Sequence, residues 1–183
     1  FDAHGVQPRP DAAQAVARLH AMGIKTLLLT GDRAAVAQAL ASSLGIERVE
    51  AETTPEQKRD IIVNLQKQGQ RVAMLGDGIN DAAALAAADA GMAMGQGADV
   101  AIEAAAISLL RATPSLAPAA LDLARRTWRI LRQGLFWALF YNALGLPAAA
   151  FGLLSPALAG AAMAASSLCV LGNALRLRQW RAS

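Results

Sequence analysis

The first 112 residues alternate between two spacings of apolar side chains. After Pro10, residues Ala15, Val16 and Leu19 recur on one helical face, and Gly23 ends that pattern. An unbroken apolar run, typical of a buried strand, follows it. Repetition of this order predicts helices at 10–22, 34–44, 55–68 and up to 89, and strands at 24–30, around 49, at 72–75, at 91–94 and near 107–110. Strands and helices in this order predict an α/β fold with a parallel sheet covered by helices.

The pattern changes at Thr113. A basic amphipathic stretch, "LDLARRTWRILRQ", leads into Gly134–Leu154, which has no charged residue over 21 positions. As a helix this run is about 31 Å long, enough to cross a hydrocarbon core. A tight turn at Ser155 and Pro156 precedes a second uncharged run at 157–175. We expect two parts, 1–112 and 113–183, the second with two membrane helices; two core helices of a soluble bundle would rarely lack a charged face.

Charge is divided unevenly between these parts. Residues 1–111 have 10 Lys or Arg against 13 Asp or Glu, whereas residues 112–183 have seven Arg and one acid. A basic balance often indicates a nucleic-acid partner, but these arginines flank apolar runs and only 4% of residues are aromatic. The lipid bilayer is therefore the expected partner, with no nucleic acid. The positive-inside rule places both outer ends of the helical hairpin, and the sheet domain, in the cytoplasm of a multi-pass membrane protein.

Three groups of polar residues follow predicted strands or open a helix. The segment "MLGDGINDAAAL" places Asp77 and Asp81 after one strand, "TGD" places Thr30 and Asp32 after another, and Lys58 lies in "TPEQK". Ligand groups collect beyond the carboxyl ends of parallel strands. A carboxylate pair, a hydroxyl and a lysine together suit a phosphate with Mg²⁺. Taken alone, "TGD" also fits a turn in which Asp32 caps the next helix, and Lys58 also fits a surface lysine.

These segments resemble a known family. "LLLTGDRAAVAQALASSLGI", "TPEQK" and "VAMLGDGINDAAALAAADAGMAMGQGADVAIEAA" resemble the second half of the phosphorylation domain of P-type cation-transporting ATPases, a branch of the haloacid dehalogenase-like (HAD-like) fold. "WALFYNALGLP", "AGAAMAASS" and "NALRLR" resemble the last two membrane helices of the heavy-metal subgroup, specifically the copper(I) exporters. The resemblance covers essentially the whole chain and implies a partial HAD-like, Rossmann-type parallel sheet followed by a two-helix transmembrane hairpin.

The resemblance also implies roles for individual residues. Asp77 would be a Mg²⁺ ligand and Asp81 the carboxylate that orients it. Thr30 and Lys58 would contact the aspartyl phosphate, and Asp32 would help to close the nucleotide side. The complete implied set comprises catalytic Thr30, Gly31, Asp32 and Lys58, and Asp77, Gly78, Asn80 and Asp81 around the Mg²⁺ and the co-substrate ATP.

Parts of the family pattern are not found in this sequence. They are the Asp-Lys-Thr-Gly motif with the phosphorylated aspartate, the nucleotide and actuator domains, and the Cys-Pro-Cys helix. We expect these parts to belong to a missing N-terminal portion of the same protein, without which the chain would be inactive. Three positions also depart from the family: Ala83 stands where proline is usual, Ala98 where threonine is common, and Gly134 where asparagine is usual.

The two apolar runs contain candidate metal ligands of their own. Tyr141 and Asn142 place polar groups in the first run, and Met163 and Ser167 share a face of the second. On composition alone, methionine as apolar filler and small serines at a helix contact explain the second pair at least as well. The family resemblance instead implies that all four belong to a site for Cu(I), for which a thioether is a suitable soft ligand. Ag(I) would fit equally well.

Two other functions remain open from the sequence. A membrane-anchored HAD-like phosphatase would require an upstream Asp-x-Asp motif, which this chain does not contain. A non-catalytic membrane fragment could instead act by assembly with other subunits. The leading interpretation is the C-terminal part of an ATP-driven Cu(I) exporter.

Overall fold

The computed structural model describes residues 9–76, 79–95, 99–111, 113–152 and 155–179. The chain divides into two compact units, Phe1–Pro118 and Ala119–Ser183. Each unit is described separately below.

The first unit alternates helices and strands. Its helices are α1 (Ala12–Ala21), α2 (Ala34–Leu44), α3 (Pro55–Lys67), α4 (Ala82–Ala87) and α5 (Asp99–Ala104). Its strands are β1 (Leu27–Leu29), β2 (Arg48–Glu50), β3 (Ala73–Gly76), β4 (Ala90–Met94) and β5 (Ile107–Leu109). A 3₁₀ turn, Ile79–Asp81, precedes α4. The predicted α/β class is confirmed.

All of the described strand pairs are parallel, but they form two hydrogen-bonded groups. β1 pairs with β2, with Leu28 opposite Val49. β4 pairs with β3 on one side and β5 on the other, in the order β3-β4-β5. The sequence predicted a partial parallel sheet, and the structure divides that sheet into two groups, with no pairing between β1 and β3 among the described residues.

The two groups of strands nevertheless share a core. Buried Ile62 of α3, Met74 of β3 and Leu85 of α4 form one cluster with Ala84, and Leu29 of β1 packs against it. Burial of such side chains is the main favourable contribution to folding. β1 and β3 therefore lie against the same apolar layer without pairing with each other.

Most predicted boundaries agree with the structure to within a few residues. The strand predicted at 24–30 is the exception, because only Leu27–Leu29 pair with β2. The preceding residues are bound back to α1: Ile24 N–H donates to Leu19 O at 2.9 Å, and Thr26 Oγ1 lies 2.8 Å from His20 Nε2. Helix α5 was not predicted, since its six residues are too few for a 3.6-residue period to be visible.

The second unit consists mainly of two long helices. The expected basic helix and first membrane helix form one element, α6 (Leu116–Ala150), which begins in the first unit and continues without a break through Pro147. α7 (Pro156–Leu175) matches the second predicted span. Among the described residues, one stretch is long and apolar enough to cross a membrane. It is Gly160–Arg178, with a mean hydropathy of 1.2. The two-helix transmembrane hairpin is thus only partly supported, because α6 supplies no such stretch among the described residues.

Contacts between α6 and α7 use small and polar side chains. The amide of Asn173 donates from Nδ2 to Ile130 O at 3.1 Å. A Cβ added to Gly134 would lie 3.8 Å from Val170 Cγ1, so this glycine is on the side of α6 that faces α7. Large apolar residues elsewhere on both helices are exposed in this chain, as Leu135, Phe136 and Leu168 illustrate.

Candidate functional site

The "TGD" segment forms a tight turn directly after β1. Thr30 Oγ1 donates a hydrogen bond to Asp32 Oδ2 at 2.8 Å and accepts one from the backbone N–H of Asp32 at 3.1 Å. The residue preceding α2 is Arg33, and no side-chain cap is formed there. Asp32 therefore orients the Thr30 hydroxyl, and the alternative in which Asp32 caps α2 is not supported.

Lys58 and Asp81 meet beyond the end of β3. Lys58 Nζ lies 2.9 Å from Asp81 Oδ1, and the two side chains are only 12% and 15% exposed. Lys58 is thus not a solvated surface lysine. Gly76, the last residue of β3, makes the approach of the carboxylate possible: a Cβ at this position would lie 2.8 Å from both Cβ and Oδ2 of Asp81.

A short loop connects the "TGD" turn with the helix that carries Lys58. Thr53 donates to the carbonyl oxygen of Thr30 from its backbone N–H at 3.0 Å and from Oγ1 at 2.9 Å. Thr54 then caps α3 in a capping box with Gln57. Such a box satisfies two backbone donors at a helix start.

Sequence reasoning identified Lys58 in this segment but not Thr53. The Thr-Thr-Pro run is a readable signal for a helix start, because Thr54 precedes a proline and stands three residues before a glutamine. The bonding partner of Thr53 is 23 residues away, so local pattern could not reveal it.

The structure leaves part of the predicted site undescribed. Asp77 and Gly78 lie outside the described residues. Asn80 is exposed in the 3₁₀ turn, next to Asp81. No group of three or more His, Cys, Asp or Glu suited to a metal ion occurs within the described ranges, which omit Asp77. What is described of the donor chemistry fits Mg²⁺, because the Asp81 carboxylate supplies hard oxygen atoms beside a backbone that lacks a side chain at Gly76.

Asp89, which the sequence did not indicate as a site residue, lies directly before β4. Asp89 accepts hydrogen bonds from Val72 N at 2.9 Å, Gln66 Nε2 at 3.1 Å and Arg71 NH1 at 2.8 Å. The hydrogen bonds from these donors lower the pKa of Asp89 from 3.8 to about 2, and the one from the Val72 amide has the largest effect. The carboxylate thus joins the end of α3 to the starts of β3 and β4.

The four candidate metal ligands lie in the second unit. Ser167 Oγ donates to Met163 O at 3.0 Å, which confirms that the two residues share a face of α7. The Met163 side chain is 72% exposed. Asn142 donates to Ala138 O at 2.9 Å within α6, and neighbouring Tyr141 is half-buried. No hydrogen bond joins the α6 pair to the α7 pair in the part of the chain that the structure describes.

Comparisons with known proteins agree with this arrangement. The model of the haloacid dehalogenase-like hydrolases matches residues 1–89. A copper-exporting P-type ATPase of Vibrio cholerae serotype O1 is 53% identical over 177 residues, covering 93% of this chain and 19% of the relative. A copper-exporting P-type ATPase of Staphylococcus aureus is 52% identical, covering 93% of this chain and 21% of the relative.

Solved structures give the same result. The crystal structure of a zinc-transporting PIB-type ATPase in its E2.Pi state superposes with a TM-score of 0.87 at 38% identity, over 93% of this chain and 28% of the other. This chain spans about a fifth of the length of the curated relatives that it matches. P-type ATPases use ATP and Mg²⁺, and they are membrane proteins. Together, these matches show that the chain belongs to the P-type ATPases and corresponds to the C-terminal phosphorylation-domain region of the heavy-metal group.

Proposed function

We propose that the first unit supplies the magnesium- and phosphate-binding half of the phosphorylation site of an ATP-driven metal exporter. The observation that carries this proposal is the position of the polar groups. The Lys58–Asp81 pair follows β3, and the Thr30–Asp32 turn follows β1, so both lie at the carboxyl ends of parallel strands. Reacting groups collect at this edge of an open α/β sheet.

Each residue has a chemical role in this proposal. Asp77 would bind Mg²⁺ and Asp81 would orient it, and the ion would neutralise charge on the phosphoryl oxygens. The Lys58 ammonium has three donors, so one can bind Asp81 while another binds a phosphoryl oxygen. The Thr30 hydroxyl, next to the backbone of Gly31, donates to a second phosphoryl oxygen. Positioned charges and donors of this kind account for most of the catalysis of phosphoryl transfer.

The interruption between β1 and β3 gives a place for the phosphorylated aspartate. Within the described residues β1 pairs with β2 alone and β3 with β4 alone, yet Leu29 and Met74 belong to one core. A strand from the missing N-terminal portion, with the Asp-Lys-Thr-Gly motif at its carboxyl end, would pair with both free edges. Its aspartate would then lie between Thr30 and the Lys58–Asp81 pair.

We propose Cu(I) as the transported ion, with Tyr141, Asn142, Met163 and Ser167 contributing to its membrane site. The two curated relatives named as copper exporters are 53% and 52% identical to this chain, whereas the zinc-transporting structure is 38% identical. The thioether of Met163 suits a soft monovalent ion, Cu(I) or Ag(I). The protein would be a multi-pass membrane protein with its sheet unit and C-terminus in the cytoplasm, since arginines flank the apolar runs.

Phosphoenzyme formation tests the proposed site. In the full-length protein, Asp77→Asn should abolish labelling by γ-³²P-ATP, because the Mg²⁺ ligand is lost. Lys58→Ala should reduce labelling, while Lys67→Ala, an exposed lysine of the same helix, should label normally. Normal labelling of Asp77→Asn would refute the proposal.

A further inference from the structure

Two loops of the first unit are joined by three hydrogen bonds to backbone carbonyls. Thr53 supplies two of them, both to Thr30 O, from its backbone N–H at 3.0 Å and its hydroxyl at 2.9 Å. The third runs from Glu52 N to Asp32 O at 2.9 Å. Glu52 adopts a left-handed φ of 54°, a conformation that is uncommon for a residue with a side chain. The segment thus accepts some backbone strain while it binds the "TGD" turn.

This contact determines where the Thr30 hydroxyl lies. Thr53 holds the carbonyl of Thr30, and the Thr30 N–H donates to Glu50 O at 3.1 Å, so the peptide planes on both sides of Thr30 are fixed, and with them the direction of its Cα–Cβ bond. Threonine is branched at Cβ and has restricted rotation about χ1, so its hydroxyl follows the backbone closely. Asp32 then completes the orientation through the two hydrogen bonds to Thr30 Oγ1.

The same segment also determines where Lys58 lies. Thr54, adjacent to Thr53, caps α3, and Lys58 N donates to Thr54 O at 3.0 Å in the first turn of that helix. Lys58 Nζ then reaches Asp81 Oδ1 at 2.9 Å. A continuous path of hydrogen bonds and short chain segments therefore runs from Thr30 through Thr53 to the carboxylate beyond β3.

We propose that Thr53 is a positioning residue, whose hydroxyl holds the phosphate-binding hydroxyl of Thr30 in register with Lys58. The inference rests on the proposed function of this site. Thr53 itself does not contact phosphate. Small displacements of positioned groups reduce catalysis strongly, because effective concentration depends on near-ideal geometry.

Substitution of Thr53 by valine isolates the hydroxyl. Valine has nearly the shape of threonine, and the backbone N–H of residue 53 continues to bind Thr30 O, so no carbonyl is left without a donor. Thr53→Ser retains the hydroxyl and should restore function. Thr26→Val is a matched control, since it removes a half-buried hydroxyl near the opposite end of β1, which is hydrogen-bonded to His20.

The experiment measures phosphorylation of the full-length protein by ³²P-labelled inorganic phosphate with Mg²⁺. Thr53→Val should raise the phosphate concentration for half-maximal labelling by about 3- to 10-fold, because a displaced Thr30 hydroxyl loses most of its own hydrogen bond to phosphate. The maximal labelling and the thermal unfolding midpoint should stay near those of the wild type, as should all values for Thr53→Ser and Thr26→Val. A residue with a merely structural role would lower the thermal unfolding midpoint together with the apparent affinity for phosphate. A change in apparent affinity alone therefore indicates positioning.

Other results would overturn the inference. An unchanged half-maximal concentration in Thr53→Val, or an equal increase in Thr53→Ser, would show that the hydroxyl does not position the site. A loss of thermal stability that accounts for the whole effect in Thr53→Val, and also in Thr53→Ala, would assign a structural role instead. Labelling of the wild type together with loss of labelling in Thr30→Ala would support the proposed function of the site. A failed Thr53 prediction would then contradict only the positioning role of Thr53. A wild type without labelling would refute the proposed function as well.

Discussion

At the scale of single residues, the hydroxyl of Thr30 could donate either to Asp32 or to a phosphoryl oxygen. It donates to the carboxylate of Asp32, and a hydroxyl has only one proton to donate. A phosphoryl oxygen that accepts from Thr30 must therefore replace Asp32 as its acceptor. The N–H of Asp32, which donates to Thr30 Oγ1, can remain in place during this exchange. In the proposed function, the turn would thus present an oriented donor to the phosphate.

Asp89 gives a prediction about acid stability. Because its folded pKa is lowered from 3.8 to about 2, its hydrogen bonds stabilise the fold fully above pH 4, and this stabilisation is lost as pH falls towards 2. Asp89→Asn should therefore unfold at a lower temperature than the wild type at pH 6, and the difference should shrink between pH 4 and pH 2. Thermal unfolding followed by circular dichroism measures this. Asp60→Asn, at an exposed aspartate paired with neighbouring Arg59, is the control, and a difference for Asp89→Asn that does not vary with pH would contradict the prediction.

At the scale of helices and strands, α6 is the largest element. Its 35 residues correspond to a rod of about 52 Å, considerably longer than a hydrocarbon core of about 30 Å. Only its later part is free of charge, and its arginines lie in the earlier part. Gly134 marks the transition between these parts and faces α7. The glycine in place of the family's usual asparagine thus lies on a helix contact.

Substitutions at Gly134 should separate the effect of helix propensity from the effect of packing against α7. Gly134→Ala should stabilise this chain by up to about 1 kcal/mol, because alanine is the better helix former and its Cβ would make an ordinary 3.8 Å contact with Val170. Gly134→Leu should destabilise it, since the longer side chain meets α7. Gly145→Leu is the control, as nothing described lies within 4 Å of a Cβ there. Equal unfolding midpoints for the two leucine variants in detergent would disprove the packing argument.

Prediction from sequence succeeded where the signal is local. The helix at 34–44 was predicted with its observed ends, since Gly45 adopts the left-handed φ of 72° that commonly ends a helix. The interruption between β1 and β3 could not be predicted, because strand pairing depends on residues far apart in the chain. The same holds for the site: the polar residues at strand ends were readable, whereas Thr53 and Asp89 act through partners 17 to 23 residues away.

At the scale of the whole molecule, ion choice provides a test. In the full-length protein, Met163→Ala should lower Cu(I)-stimulated ATP hydrolysis several-fold, because a soft ligand is lost. Labelling by inorganic phosphate should persist, since that reaction belongs to the sheet unit. Leu168→Ala, which removes an apolar side chain 68% exposed on the same helix, should leave both activities near normal. Unchanged Cu(I) activation in Met163→Ala, or stronger activation of the wild type by Zn²⁺, would refute the copper assignment.

The edges of β1 and β3, which have no strand partner among the described residues, also have a consequence for biosynthesis. A strand that joins them from the N-terminal portion would leave the ribosome before either edge exists, and would wait until residues 27–76 had been translated. Closing such a long loop is slow, and unpaired edges favour aggregation in the meantime. The order of synthesis would therefore leave such a strand without its partners until β3 emerges.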